Sequence, residues 1–301
     1  MCDNLGIRVV LGGVVKNVEK HFRVIQGFIN SLKNSLPSLE VCIYENNSVD
    51  NTKQLLSQLH EMMPFVQIQC EDYSEEYYLN KFPGRAFDNT SCRMHKIACA
   101  RNELLKMIEH KNLGVRDFVI MMDLDINIAP DVNMLKGIID NWYPDLHVLF
   151  ANGIDHARNY YDAYALRTSE YPFGPEIIGD QFWSDSHMAN LKKPVKDLVP
   201  VLSAFGGLAI YKANVIKGCL YSADITNILH ELYSGLEIQD KSPQTHYNGC
   251  ALGIYKDKIF YKNNSGYNYP VVVEHSSFHL SIRKKGYTNM FICPYLYYYW
   301  I

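Results

Sequence analysis

The chain has almost no net charge: 29 Lys and Arg against 32 Asp and Glu leave a formal charge of −3 over 301 residues. That removes the electrostatic reason to expect nucleic acid or an anionic membrane surface as a partner. Long apolar runs are also missing, and none approaches the roughly 20 residues of a membrane span. The N-terminus, MCDNLGIRVVLGGVV, places acidic Asp3 before a short apolar run broken by glycines. A signal peptide would carry a basic n-region and an unbroken apolar h-region. The expectation is a soluble, cytoplasmic chain. Eight cysteines occur without C-x-x-C pairing, and Cys42 and Cys99 sit inside apolar or helical patterns. Cysteine so placed acts as a small hydrophobe in a reduced compartment, so structural zinc is not expected. Repeats and low-complexity tracts are absent.

What remains is globular: 48% hydrophobic and 20% charged residues, in a chain long enough for one large α/β domain or two modest ones. Up to about residue 150, strand and helix patterns alternate. IRVVLGGVV, LEVCIYE, FVQIQC, DFVIMMDLD and HVLFANG read as strands. Between them, Val18 to Asn34, SVDNTKQLLSQLHEM, SCRMHKIACARNELLKMIEHK and NMLKGIIDNW carry helical spacing. Such alternation predicts an α/β fold with a mainly parallel sheet flanked by helices. Residues 154–200, rich in Tyr, Pro, Asp and His, read as long functional loops. VLSAFGGLAIYKA and YPVVVEHSSFHLSIRKKG read as later strands. The expected organisation is one unit over 1–301, with a nucleotide-binding half (1–150) and a loop-rich half that completes the sheet and faces substrate (151–301).

Three constellations carry chemistry. Asp123-Leu124-Asp125 ends a strand that reads as fully buried. With period-2 alternation both carboxylates lie on one side, able to share a divalent cation, while Leu124 turns inward. Ligands of open α/β sheets bind outside the carboxyl ends of the strands, where this pair lies. A solvated turn before Pro130 is the alternative. The second strand ends in YENNSVDNT. There Glu45 can accept from the N3–H of uracil, and Asn46, Asn47 and Ser48 can hold ribose. Asp50 and Thr52 read as helix-start residues. Arg101 falls on the apolar face of the 93–110 helix with Met94, Ile97, Ala98, Leu104, Leu105 and Ile108. A guanidinium so placed needs an anion, either Asp123 or a nucleotide phosphate.

RVVLGGVVKN, VCIYENNSVDNT, ACARNELL and DFVIMMDLDI follow one another in the order and spacing of GT-A glycosyltransferases, which the chain therefore resembles. YYDAYALR, VLSAFGGLAIYKA and VEHSSFHLSIRKKG extend the resemblance to the fungal capsule-associated α-1,3-mannosyltransferase family, over about residues 7 to 293. The resemblance implies a GT-A, Rossmann-like sheet and a site in which Gly13, Val14, Lys16 and Asn17 border the nucleotide and Glu45 and Asn47 meet base and ribose. Arg101 would lie by the diphosphate or the first aspartate. The D-x-D segment, Leu124 included, would border the nucleotide, with Asp123 on ribose or water and Asp125 on the metal. His275 would be a third ligand to Mn2+ or Mg2+, and His279 is read as structural. Gly206 and Gly207 would let the backbone approach the donor sugar. Asp162 would bond a sugar hydroxyl, with Tyr160, Tyr161 and Tyr164 as stacking faces or as loop packing.

The expected activity is metal-dependent transfer of a sugar from a nucleoside-diphosphate donor, a UDP-sugar by the Glu45 reading, to a glycan or glycoconjugate hydroxyl. The resemblance implies retention. Inversion would need a carboxylate base, for which Glu274, Asp180 and Asp185 are candidates. Two alternatives stand beside this reading. A sugar-phosphate nucleotidylyltransferase would want a basic, glycine-rich loop after the first strand, where only Lys16 is available. A non-catalytic carbohydrate- or nucleotide-binding module would have no need of Asp123, Asp125 and His275.

Overall fold

The structure, a computed structural model, describes residues 6–82, 89–193, 195–236, 239–240, 246–247, 250–255, 258–263 and 272–300; the side chains of 89–92, 180, 181 and 239–263 lie outside the description. The first half follows the predicted alternation, with one helix that was not predicted, α3 (Glu75–Lys81): β1 (Val9–Val15), α1 (Phe22–Ser35), β2 (Leu39–Asn46), α2 (Thr52–Met62), β3 (Val66–Glu71), α3, α4 (Asn89–Glu109), β4 (Phe118–Met122), α5 (Val132–Asp140) and β5 (Val148–Ile154). The second half adds α6 (Pro175–Ile178), α7 (Asp185–Leu191), β6 (Val199–Pro200), β7 (Leu208–Lys212), α8 (Ala213–Ile216) and α9 (Asn227–Ser234). Then come β8 (Gln239–Asp240), β9 (His246–Tyr247), β10 (Cys250–Tyr255), β11 (Lys258–Asn263), α10 (Glu274–Lys284) and β12 (Met290–Tyr299).

One eight-stranded sheet runs in the order β3-β2-β1-β4-β7-β5-β12-β6. Only β7 and β6 run against the other strands of it, so the predicted mainly parallel α/β sheet is present. β1 pairs with both β2 and β4. The chain therefore winds outward through β2 and β3, then returns to the other side of β1 with β4. The carboxyl ends of β1 and β4 border the crevice that this reversal leaves, the place where an open sheet takes its ligand.

Each sheet face has its own core. On one face α1 buries Phe22, Ile25, Phe28, Ile29 and Leu32, an i, i+3, i+4, i+7 stripe, against Val9, Leu11, Val41 and Ile43. Each such side chain contributes roughly 1.5–3 kcal/mol by leaving water. On the other face α4 lays Ala98, Leu104, Leu105 and Ile108 against Val10 and Cys42.

Two predicted strands differ from the structure. Of YPVVVEHSSFHLSIRKKG, Tyr269 to Val271 lie outside the described residues, and the rest is not a strand: Glu274–Lys284 is a helix, α10. His275, Phe278, His279 and Ile282 recur at helical spacing, and Arg283 and Lys284 in the last turn complement the helix dipole. VLSAFGGLAIYKA is strand only from Leu208. Gly206 (φ 65°) and Gly207 (φ 88°) form a left-handed turn ahead of it, a backbone path that glycine takes at no steric cost. Among the described residues no helix is long and apolar enough to cross a membrane.

Candidate functional site

Asp123 is the first residue beyond β4, and the predicted alternation continues past the strand. Leu124 and Ile126 are buried, Asp123 is half-buried and Asp125 is exposed. Arg101, brought to the sheet edge by α4, donates from Nη2 to Asp123 Oδ1 at 2.9 Å and from Nε to Glu274 Oε1 at 3.0 Å. Its guanidinium also lies 4.9 Å from the ring centre of Phe205 and 5.7 Å from that of Tyr221. Burial alone would make Arg101 easier to deprotonate, but the charges of Asp123 and Glu274 outweigh it and hold the guanidinium protonated. Asp123 is pushed up to about 7, first by burial and then by the charges of Asp125 and Asp162, with Arg101 opposing. The arginine thus meets an aspartate and a glutamate of the chain itself, the structural ion pair that the sequence left open.

The glycines explain how the segment is held. A Cβ on Gly13 would sit 2.4 Å from Leu124 Cδ1, so β1 needs glycine for Leu124 to pack across it. Leu124 is wholly buried, and of this residue only the backbone can border a ligand. Asp123 N–H donates to the Gly207 carbonyl at 2.9 Å, and the Tyr298 hydroxyl donates to the Asp123 carbonyl at 2.9 Å. A Cβ on Gly207 would strike the Tyr298 ring at 2.5 Å. Asp162 accepts from Gly206 N–H at 3.0 Å and from Ala165 N–H at 3.3 Å. Burial raises its pKa, and these two N–H groups oppose the rise. The D-x-D, Tyr-Asp and Gly-Gly motifs therefore meet at one place, joined by direct hydrogen bonds, and the Glu-His motif joins them through Arg101.

A second cluster lies at the ends of β1 and β2. Asn17 and Asn47 both take positive φ, 54° and 59°, a conformation asparagine tolerates. Asn17 N–H donates to Ser48 Oγ and Val49 N–H to Asn17 Oδ1, which ties the two turns together. Asn47 Nδ2 donates to the Tyr73 carbonyl at 2.7 Å. Val14 is half-buried and Lys16 exposed at the end of β1. Thr52 and Asp50 accept from the backbone of Val18 and Thr52 respectively, the turn and helix-start roles expected of them. Glu45 is fully buried. Its Oε1 takes Ser48 N–H at 2.7 Å, while Oε2 has no hydrogen-bond partner and lies 4.0 Å from Lys53 Nζ.

His275 departs from the expected geometry. The helical start at Glu274 gives the glutamate to Arg101 and sends the His275 ring into an aromatic stack, 4.1 Å from Phe205 and 5.5 Å from His279. Both ring nitrogens are buried without a hydrogen-bond partner, and burial followed by the Arg101 charge holds the ring neutral. Asp123, Asp125 and His275 do not form a ready metal cage: among the described residues no group of three or more His, Cys, Asp or Glu side chains is arranged to hold a metal ion. What the chain offers a divalent cation is the exposed Asp125 carboxylate beside the half-buried Asp123, whose pKa is raised first by burial and then by the charges of Asp125 and Asp162. His279, read as structural, is so: it bonds Ser203 Oγ at 2.9 Å and the Tyr211 hydroxyl at 2.8 Å, fully buried.

Residues 19–259 match the model of the family described as cryptococcal mannosyltransferase 1. The chain belongs to that family. The sequence-level resemblance to the capsule-associated mannosyltransferases is thereby borne out. The matched span takes in Glu45, Arg101, Asp123, Asp125, Asp162, Gly206 and Gly207, and ends before Glu274 and His275. No curated protein matches the chain. Similar solved structures include the mannosyltransferase PcManGT from Pyrobaculum calidifontis in complex with GDP-Man and Mn2+, at 14% identity, 71% of this chain, 47% of that chain and a TM-score of 0.39. Another is glucosyl-3-phosphoglycerate synthase from Mycobacterium tuberculosis in complex with Mn2+, UDP and glucosyl-3-phosphoglycerate, at 12% identity, 70% of this chain, 58% of that chain and a TM-score of 0.35. The chain spans about half the length of these two proteins, 47% and 58%.

Sequence reasoning missed Tyr298 and Phe205, which buttress Asp123 and Arg101. The alternation in PYLYYYW, with Leu296 and Tyr298 buried between exposed Tyr295, Tyr297 and Tyr299, is a strand signal that could have found the first of them.

Proposed function

We propose that the chain is a retaining, metal-dependent glycosyltransferase that takes a nucleoside-diphosphate sugar at the carboxyl ends of β1, β2 and β4 and transfers the sugar to a glycan or glycoconjugate hydroxyl. The observation that carries this reading is the convergence of Asp123, Asp125, Asp162 and the Gly206-Gly207 turn on one point beside the crevice, in a chain of a mannosyltransferase family.

In this reading Asp125, exposed at the strand end, is the direct ligand of Mn2+ or Mg2+, and Asp123 acts through water or ribose. A bound divalent cation supplies Lewis-acid stabilisation of the departing diphosphate. Arg101 keeps Asp123 in place and offsets part of the local negative charge. The left-handed Gly206-Gly207 turn would hold Asp123 and Asp162 beside the donor sugar, the space of its absent Cβ atoms being filled by Ala151 and Tyr298. His275 joins the ligand set only by turning out of its stack when nucleotide arrives. Val14, Lys16, Asn17 and Asn47 border the nucleotide, and Glu45 Oε2, enclosed, without a hydrogen-bond partner and 4.0 Å from Lys53 Nζ, accepts the N3–H of uracil only once the turn over it opens. Retention is favoured because the nearby carboxylates are committed, Glu274 to Arg101 and Asp162 to two backbone N–H groups. A general base needs a free oxygen within reach of the acceptor hydroxyl. Asp185 is exposed at the start of α7, and the Asp180 side chain lies outside the described residues.

Incubation with UDP- and GDP-sugars and manganese tests the reading. Release of nucleoside diphosphate supports transfer or donor hydrolysis. Pyrophosphate chemistry would instead make the chain a nucleotidylyltransferase, and tight binding without turnover a binding module.

A further inference from the structure

Of the tyrosines near Asp162, one is free to receive a ligand. Ile154 and Tyr160 form a bridge, so Tyr160 points inward and is wholly buried, and Tyr161 turns outward and is 43% exposed. Tyr164 is half-buried against Phe182 and Trp183. The Tyr161 ring stacks on Trp300, centroids 4.5 Å apart and planes 23° from parallel. Both are pinned to the end of β5: Tyr161 N–H donates to the Gly153 carbonyl and Trp300 N–H to the Ile154 carbonyl, each at 2.9 Å. Both also neighbour a residue that holds the site. Asp162 follows Tyr161 and grips Gly206; Tyr298 precedes Trp300 by two residues and bonds the Asp123 carbonyl. Burial, followed by the charges of Asp162, Asp123 and Asp125, raises the pKa of the Tyr161 hydroxyl, with Arg93 opposing.

From this arrangement we infer that Tyr161, backed by Trp300, is the platform on which a neutral pyranose ring of the acceptor glycan stacks. This rests on the transferase reading above. A pyranose has an apolar C–H face and a hydroxyl rim, which suits an aromatic face beside carboxylate acceptors. Trp300 covers one face of Tyr161 and fixes its tilt, so the open face meets the ligand with little entropy left to lose. Tyr298 bonds the Asp123 carbonyl and its ring lies 5.2 Å from that of Trp300, so the platform neighbours the D-x-D segment and a ring stacked there presents its hydroxyls to the place where the donor sugar is held.

Mannotriose is the probe, its binding followed by saturation-transfer NMR with irradiation of aromatic protons. The parent chain should bind it. Tyr161→Ala should weaken binding roughly tenfold, equivalent to about 1.4 kcal/mol, and by more than it changes UDP affinity. Tyr161→Phe and Trp300→Phe should retain most of the affinity, because the stack survives in both. Tyr143→Ala, which removes an exposed tyrosine ahead of the start of β5, whereas Tyr161 is held near that strand's far end at Gly153, should bind like the parent. Melting curves establish that each variant is folded. Failure of the parent to bind mannotriose, or equal binding by folded Tyr161→Ala and parent, overturns the platform. Tyr161-dependent binding in a chain that releases no nucleotide from UDP- or GDP-sugars would leave the platform standing and reject the transferase reading.

Discussion

Arg101 and Asp123 meet at 2.9 Å on the carboxyl edge of the sheet, and the same guanidinium reaches Glu274, which is 173 residues away along the chain. One buried cation thus binds helix α4, the D-x-D segment and helix α10. Removing it leaves two carboxylates in a low-dielectric position, and losing one partner of a buried ion pair costs about 3–5 kcal/mol. Arg101→Leu should lower stability by that order in urea unfolding, and Glu274→Gln by less, because Asp123 remains paired. In the double variant the two losses should not add, since both remove the same contact. Additive losses would mean that Arg101 and Glu274 act separately.

A packing prediction concerns Gly13. Its missing Cβ is the space that Leu124 occupies. Gly13→Ala should therefore destabilise by about 1–3 kcal/mol through overpacking. Leu124→Ala, which empties a wholly buried site, should cost about 2–5 kcal/mol. Together they should cost less than the sum, because the new methyl enters the vacated volume. Strict additivity in denaturant unfolding would show that Gly13 and Leu124 are not in contact.

Legibility followed contrast between faces. β1, β4 and β5 are readable because short, nearly unbroken apolar runs stand between polar segments, and α1, α2 and α5 because their apolar residues repeat against a polar background. Arg101 stood out for the same reason, as a charge on an apolar stripe. α10 was misread because it has little polar face in its first turns: Glu274, His275, Ser276, Ser277, Phe278 and His279 are all buried. A helix enclosed on every side loses the amphipathic period, and the Val-rich residues before it read as strand. Glu274 was accordingly cast as a possible base, when its place at the start of a helix makes it the second partner of Arg101.

The buried histidines give stability a pH dependence with a definite sign. Burial, then the Arg101 charge, lowers His279 to about 3, against about 6.5 in an unfolded chain. The fold holds this ring neutral, so its contribution is fully present above about 6.5. It is lost as pH falls from there toward 3, by about 1.4 kcal/mol per pH unit. His275 is shifted in the same direction and steepens the loss. Asp123, raised to about 7, works in the opposite direction over the same range, so the histidine shows in a comparison: between pH 7 and pH 5 the parent should lose urea stability relative to His279→Gln, whose amide can still face Ser203 and Tyr211. An identical slope in parent and variant would remove His279 from the account.

The final prediction tests the cation. Asp125 is exposed and Asp123 is tied to Arg101, so the chain alone offers few ligands. Metal affinity should therefore be weak without nucleotide and rise when phosphate oxygens complete the shell. By linkage the gain is reciprocal: manganese should tighten UDP by the same factor that UDP tightens manganese. Asp125→Ala should abolish this mutual enhancement in calorimetry and abolish manganese-dependent nucleotide release. The fold should survive, because an exposed carboxylate leaves no buried partner behind. His275→Ala should weaken the enhancement only if the ring leaves its stack on Phe205, and unchanged coupling in that variant would confine His275 to packing. Full metal-dependent turnover by Asp125→Ala would refute the mechanism, because the other candidate ligands are an ion-paired aspartate and an enclosed imidazole.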